Sequence, residues 1–260
     1  MNNTFPPNFF ELHKGEEEIR CRSIAVIEEN EQLFAHTLVI KISLDCLHHF
    51  TREYEGKGDD ELTVQLLGIR LSNSAAAAFK LLLSGYYQNA TAVQRDLIET
   101  TFLLDYLNTD ANLISKWRKS DKAERHKFFQ PRKVRAELDK RDGLKDRKRD
   151  QRYRMYCELA SHPTYDGFIM LTDRPNDKAI CGPFFSTVSM RAVLEELAIH
   201  MVQAATIFVS FFHKHSAADH LVLADWLEGS GRWYERFGGP KYNPEPVEEI
   251  RALLRRLSNH

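Results

Sequence analysis

The stretch from Gly85 to Leu107 constrains the fold of this chain more than any other part of its sequence. It reads GYYQNATAVQRDLIETTFLLDYL, and one set of its residues recurs at spacings of three and four, the period of one buried helical face. This set contains Ala90, Val93, Leu97, Thr101 and Leu104. The pattern predicts a central helix.

A second row on the same stretch begins with two charges and ends with two aromatic rings: Arg95, Glu99, Phe102 and Tyr106. Because aromatic side chains follow the charges, we expect this helix to be buried on more than one side. Three interpretations of Arg95 and Glu99 stay open: a surface i,i+4 pair, a buried pair that fixes helix packing, and part of a functional site.

Long periodic segments with short connections, typical of a helical bundle, flank this helix on both sides. The segments are 31–54, 59–83, 146–160, 187–213, 217–229 and 247–257. We therefore predict one all-α domain over residues 1–260. Within it we expect an N-terminal surface arm at 1–16, a basic helical segment at 116–154, and a loop or small β-hairpin at 164–186.

The composition indicates a folded protein in a reducing compartment. Hydrophobic residues make up 43% of the chain, and its 4 cysteines are far apart with no CxxC pair. We see no signal peptide, so we expect a cytoplasmic protein. The apolar stretch from Leu197 to Phe212 is too short for a typical membrane span and carries a polar row with His200, so we expect a buried helix and no membrane partner.

The segment 116–154 concentrates positive charge in a chain whose formal net charge is -1, with 17 lysines and arginines against 7 aspartates and glutamates. Trp117, Phe128, Phe129 and Tyr153 lie among these charges, a combination used to bind single-stranded nucleic acid. The segment predicts RNA or another anionic partner; a solvated charged helix is the alternative. The candidate nucleic-acid-binding residues are Arg147, Lys148, Arg149, Arg152 and Arg154.

His162 lies at the predicted end of the helix 146–160, directly before Pro163, where we expect it to be buried. It can cap a free carbonyl there or act in acid–base chemistry. A further set, His213, His215 and His220 with Asp219 and Asp225, lacks a specific metal spacing, so we predict no metal site. The chain contains no GxGxxG, Walker, GxSxG or HExxH motif, so we predict no cofactor.

Three stretches between residues 60 and 168 together resemble a set of bacterial all-helical proteins of unknown function. They are GYYQNATAVQRDLIETTFLLDYL, FFQPRKVR and YRMYCELASHPTYDG. Those proteins are in turn similar to the HEPN superfamily of helical bundles, many of which cleave RNA in defence and toxin systems. The spacing from Arg154 to His162 is longer than in the HEPN nuclease motif. The resemblance therefore implies the helical fold and marks Arg95, Glu99 and His162 as the candidate catalytic positions.

From these observations we expect a cytoplasmic, HEPN-like helical bundle with an RNA-linked or defence-linked role. If it is an enzyme, the resemblance implies a metal-independent nuclease that cleaves RNA. The alternative is a non-enzymatic binding or scaffold protein whose polar cluster only fixes helix packing. A small-molecule enzyme that uses the same cluster is a third hypothesis.

Overall fold

The structure is a computed structural model that describes residues 6–56, 58–173 and 178–258, and these residues form eleven α-helices. The first five are α1 (Pro7–Glu29), α2 (Glu31–His48), α3 (Asp59–Leu83), α4 (Tyr87–Leu107) and α5 (Asn112–Lys119). The others are α6 (Lys122–Phe128), α7 (Pro131–Arg141), α8 (Lys148–Tyr156), α9 (Thr187–Val209), α10 (Ala217–Arg236) and α11 (Glu245–Ser258). The predicted all-α class is confirmed.

Helix α4 is the centre of the bundle. It packs against α3 on one side and α9 on another, while α7 and α8 cover it further along. No residue from 90 to 107, all of which the structure describes, is exposed, and Leu97 and Leu104 are completely buried. The prediction of a helix buried on more than one side is confirmed.

The turn from α3 into α4 depends on Gly85. Its φ of +83° lies in the left-handed region, which side chains with a Cβ rarely adopt. A Cβ at this position would also lie 2.4 Å from the carbonyl oxygen of Phe184. Gly85 therefore allows both the tight hairpin and the close approach of the chain that leads into α9.

The N-terminal arm predicted at 1–16 needs a correction, since α1 begins at Pro7 and continues without a break to Glu29. Proline at the first helical position loses no hydrogen bond, which explains the start. The sequence showed no period there because α1 buries so little: Ser23 and Ile27 are its only buried residues. Residues 1–5 lie outside the described residues.

The segment 164–186 contains the small hairpin that the sequence predicts. A 3₁₀-helix, Asp166–Leu171, leads into β1 (Thr172–Asp173), which pairs antiparallel with β2 (Lys178–Ala179). The stretch GFIML is therefore 3₁₀-helical rather than an extended arm. The residues 174–177 that connect the two strands lie outside the described part of the chain.

The basic segment 116–154 runs through α5, α6, α7 and α8 and packs on the bundle. Pro131 occupies the first position of α7, as predicted, and Val134 and Leu138 of this helix are buried. Helix α8 continues into a π-helical turn, Cys157–Ser161, that packs against α4. Helices α7 and α8 therefore pack against α4, whereas α6 has no buried residue.

Two helices, α3 and α9, are long and apolar enough to cross a membrane by length and composition. This is weak evidence, because the core helix of a soluble protein passes the same test. In α9, 61% of the most apolar 18-residue stretch is buried inside the protein. The expectation of no membrane partner stays a prediction.

Candidate functional site

Arg95 and Glu99 of α4 meet Tyr153 of α8 in a half-buried position. Arg95 Nε donates a hydrogen bond of 3.0 Å to the Tyr153 hydroxyl, and its Nη2 lies 3.5 Å from Glu99 Oε1. Burial raises the pKa of Tyr153, and so do its hydrogen bonds with Glu99 and Cys157. Burial opposes a charge on Arg95, but Glu99 and Tyr153 outweigh it and raise the pKa of this guanidinium.

A second guanidinium, that of Arg135 on α7, lies over the same tyrosine. Its Cζ is 3.9 Å from the centre of the Tyr153 ring, and its Nη2 donates to Asp150 Oδ1 at 3.1 Å. The Arg135 side chain is only 6% exposed, and its Nη1 has no hydrogen-bond partner among the described residues. Arg95, Glu99, Arg135, Asp150 and Tyr153 form what we call the Tyr153 network, which joins α4, α7 and α8.

His162 does not join this network. It is exposed, and its backbone N–H donates to the Cys157 carbonyl, which ends the π-helical turn. The chain then turns extended, so the side chain leaves the core, and the expectation that it is buried is wrong. His162 also follows Tyr153 by nine residues, roughly 13 Å along a helix. The structure therefore brings Arg95 and Glu99 together and leaves His162 outside.

Arg149, a predicted nucleic-acid-binding residue, is largely neutralised by the protein's own carboxylates. Its guanidinium pairs with Asp139 at 2.9 Å, with Asp142, and with Asp105 of α4 at 3.9 Å. Hydrogen bonds from Arg141 and Arg149 lower the pKa of Asp142 to about 2. Only 17% of the Arg149 side chain is exposed, so it holds α7 and α8 together more than it faces solvent.

The other predicted arginines of α8 are also paired. Arg147 and Arg154 lie 3.5 Å and 3.0 Å from Asp150, and Arg152 lies 2.7 Å from Glu196 of α9. Lys148 is exposed. A charge count along the sequence could not reveal this pairing, because the partners Asp105 and Glu196 come from distant parts of the chain.

A different part of the segment keeps its positive charge in solvent: the last turns of α5 and all of α6. We call Lys116, Lys119, Lys122, Arg125 and Lys127 the α5–α6 basic surface, and all five are exposed. Within the described residues no ion pair to a carboxylate is found for any of them. Lys116 Nζ lies 4.0 Å from the centre of the Phe128 ring, a cation–π contact at the surface.

The two acidic residues inside this surface are used to begin α6. Asp121 accepts a hydrogen bond from the Glu124 backbone N–H at 2.8 Å, and Glu124 accepts one from the Asp121 N–H at 3.2 Å. This reciprocal capping box satisfies two donors that the start of a helix leaves free. The carboxylates of Asp121 and Glu124 therefore bond to backbone N–H groups, and within the described residues neither forms an ion pair with the five cations.

A cavity of about 270 Å³ lies beside this surface, between α3, α4, α5 and α7. Its wall is mainly apolar, with Phe102, Trp117 and Phe129 as the large rings. Glu99 and Arg135 also line it, so the cavity reaches the Tyr153 network.

A second concave region adjoins α6 and is lined by Lys122, Arg125 and His126 together with Phe129 and Pro131. Phe129 and Pro131 also line the first cavity, so the cavity and this concave region share part of their lining. Phe129 is held there by an edge contact with the Tyr106 ring, 6.1 Å between centroids. The basic surface and the aromatic cavity are therefore continuous.

A separate buried cluster surrounds Tyr156 of α8. Its hydroxyl lies 2.7 Å from His200 Nε2, 2.9 Å from Glu196 Oε2 and 3.4 Å from Gln94 Oε1. Burial, and then the nearby Arg152, lower the pKa of His200 to about 3, so this imidazole is neutral in the folded protein. His200 of the polar row therefore lies among polar side chains, and no local pattern in the sequence indicated that Tyr156 would meet it.

The histidines near the start of α10 serve local structure. Asp219 accepts hydrogen bonds from the backbone N–H groups of His215 and Ser216, and its Oδ1 lies 2.7 Å from His49 Nε2. Among the described residues, no group of three or more histidines, cysteines and carboxylates is placed to hold a metal ion.

Comparison of this chain with protein-family models, with curated proteins and with solved structures gives no match. The features that bear on function are therefore the Tyr153 network, the α5–α6 basic surface and the aromatic cavity.

Proposed function

We propose that this protein binds single-stranded RNA along the α5–α6 basic surface. The observation that carries the proposal is the combination of five exposed cationic side chains with an adjoining cavity walled by Trp117 and Phe129. Proteins that bind single strands combine a positive surface for the phosphates with aromatic rings on which bases stack. Unstacked RNA bases are read in the same way.

The proposal moves the binding surface from α8 to α5 and α6. On α8, Arg149 and Arg152 have carboxylate partners on α7 and α9, and releasing them for phosphates would break contacts between these helices. Arg147 and Arg154 share Asp150, which is already bound to the buried Arg135. The cations of α6 form no such ion pairs between helices within the described residues. Phosphate binding there requires no change in the packing of the bundle.

We propose binding rather than cleavage as the main activity. The HEPN-like resemblance implies Arg95, Glu99 and His162 as catalytic positions, but two of these lie in a network that joins helices and the third lies outside it. Nuclease activity stays a prediction, and it is checked by incubating the protein with labelled RNA and looking for shorter products.

The test compares RNA binding by fluorescence anisotropy for two triple variants of equal charge change. The first replaces Lys119, Lys122 and Lys127 with alanine. The matched control replaces Lys140, Lys145 and Lys148, which are exposed lysines on α7, on the loop after it and on α8.

We expect the α5–α6 variant to bind RNA more weakly and the control to bind nearly as the wild type does. The slope of log affinity against log salt should also fall by about 0.7 for each lost contact to a single strand. Equal losses in both variants would contradict the proposed surface, and wild-type protein that does not bind would contradict the function. Thermal unfolding curves confirm that both variants fold.

A protein-binding scaffold is the second candidate, favoured by an apolar row on α3. Leu62, Leu66 and Ile69 recur along one face and are 53%, 59% and 41% exposed. Contiguous exposed apolar residues often mark contact surfaces. Sedimentation of the wild type and a Leu66→Lys variant tests this candidate, because a contact between copies would be lost in the variant.

A further inference from the structure

The cavity beside the α5–α6 basic surface has the size and shape for one planar ring system. Its volume of about 270 Å³ is slightly below the range of about 300 to 1,000 Å³ that drug-sized ligands occupy. Phe102 projects from α4, Trp117 from α5 and Phe129 from the residues before α7, so aromatic rings come from three separate elements. A single base fits this space better than a whole nucleotide.

The cavity also holds charged groups of both signs. Asp96 and Arg70 line it but pair with each other, and Asp96 also accepts a hydrogen bond from Ser74. Glu99 and Arg135 keep hydrogen-bonding capacity. Glu99 lies 3.5 Å from Arg95 and is also hydrogen-bonded with Tyr153, but its two carboxylate oxygens can accept further hydrogen bonds. The buried Nη1 of Arg135 has no hydrogen-bond partner within the described chain.

We infer that this cavity binds a guanine base, with the carboxylate of Glu99 accepting its N1–H and N2–H donors and the Arg135 guanidinium donating to its O6. Trp117, Phe129 and Phe102 cover the base. The inference rests on the proposed function, because a guanine within an RNA strand reaches the cavity only if the phosphates of that strand follow the α5–α6 basic surface.

The hydrogen-bonding edges of the four bases explain this choice. Guanine is the only one that presents two adjacent N–H donor groups beside a carbonyl acceptor. A carboxylate has two oxygens that accept hydrogen bonds and a guanidinium only donates, so Glu99 and Arg135 match that edge. Adenine and cytosine place an acceptor nitrogen next to their amino group, where it would face the carboxylate. Uracil offers one N–H between two carbonyl groups.

The first experiment measures affinity for a uridine-only RNA and for the same RNA with one central guanine. We expect the guanine to tighten binding about 5- to 150-fold, since a good two-point contact discriminates by ~1 to 3 kcal/mol. An RNA with inosine in place of guanine lacks the N2 amino group and should lose most of that gain. This measurement needs no variant and therefore no assumption about folding.

The second experiment uses Glu99→Gln, which keeps the shape of the side chain but turns an amide N–H towards the donors of the base. This variant should lose the preference for guanine, so that its affinities for the two RNAs become equal. The matched control is Glu137→Gln, at an exposed position on α7 that does not line the cavity. It should behave as the wild type does with both RNAs.

The outcomes separate this inference from the proposed function. Equal affinity for the two RNAs would overturn the guanine site and leave RNA binding in place. If neither RNA binds, the proposed function fails, and equilibrium dialysis with GMP then decides whether the cavity takes the base from a free nucleotide. Absence of GMP binding in that case would overturn the inference as well.

Discussion

The guanidinium of Arg135 lies 3.9 Å from the centre of the Tyr153 ring, and this contact joins α7 to α8. The hydroxyl of the same tyrosine accepts a hydrogen bond from Arg95 of α4. One side chain therefore connects three helices by two kinds of interaction that mutation can separate.

Replacing Tyr153 with phenylalanine should cost about 1 to 2 kcal/mol of the free energy of unfolding. The variant keeps the ring but loses the hydrogen bonds of the hydroxyl, with Arg95, Glu99 and Cys157, and a bond to a charged group contributes roughly that amount. Tyr153→Leu should cost more, because the ring contact with Arg135 contributes about 2 kcal/mol when it is desolvated. Chemical denaturation measures both. Equal losses would show that the ring does not stabilise α7 against α8.

Single replacements of Arg95 and Glu99 should have intermediate effects on stability. The two side chains are 30% and 26% exposed, between the surface and the buried cases that the sequence left open. We expect Glu99→Leu to cost about 1 kcal/mol, as partly screened ion pairs do. Arg95→Met should cost about 1 kcal/mol more, because it also loses the bond to Tyr153.

A double-mutant cycle checks this second prediction. The Arg95→Met, Glu99→Leu double variant should lose less stability than the sum of the single variants, since each removes the partner of the other. A loss of 3 to 5 kcal/mol in either single variant, about the cost of an unpaired buried charge, would place the pair deeper in the core than the structure does.

The stability of the protein should fall as pH falls from about 6.5 towards 3 because of His200. The unfolded imidazole binds a proton below its ordinary pKa of 6.5, whereas the folded one stays neutral down to about 3. Its contribution is therefore complete above pH 6.5 and declines below it, by up to about 1.4 kcal/mol per pH unit.

Denaturation at several pH values measures this slope in the wild type and in His200→Gln. Burial also lowers the pKa of His36, to about 4, so a second histidine contributes a slope of the same sign. The variant should lose the part that comes from His200 and retain the part from His36 and, below about pH 4, the part from carboxylates with a lowered pKa such as Asp142. An unchanged slope would mean that His200 is protonated inside the fold, within reach of Tyr156 and Glu196.

Phe208→Ala should cost about 3 to 5 kcal/mol, because the ring is completely buried in α9 and its removal opens a cavity. On α3 the ring faces Gly68, which has no side chain that could fill the cavity. The control is Phe34→Ala on α2, where the ring is 43% exposed and the loss should stay below about 1 kcal/mol. A loss that small at Phe208 would contradict a packed core around α9.

The fold was largely predictable because helix periods and turn residues are local signals. The row on α4, the turn at Gly85 and the start of α7 at Pro131 all depend on neighbours within a few residues. The candidate site was less predictable. Arg95 and Glu99 stood out by their position among apolar residues, but Tyr153 and Arg135 gave no local sign that they would meet them.

The position of the basic surface could not be predicted, since net charge says nothing about which cations are paired. Arg149 and Lys122 look alike in the sequence, yet Arg149 meets carboxylates from α4 and α7 and Lys122 meets none in the described chain. His162 was misjudged for a related reason. A His–Pro pair marks the end of a helix but does not say whether that end faces the core.

Helix α6 has no buried residue, and besides its reciprocal cap it is held mainly by the segments on either side of it. Short segments without buried apolar contacts open readily, so the backbone amides of α6 should exchange their hydrogens with solvent much faster than those of α4. A strand of RNA that crosses α6 would slow this exchange there and leave α4 unchanged. Hydrogen–deuterium exchange can therefore locate the bound strand without any mutation.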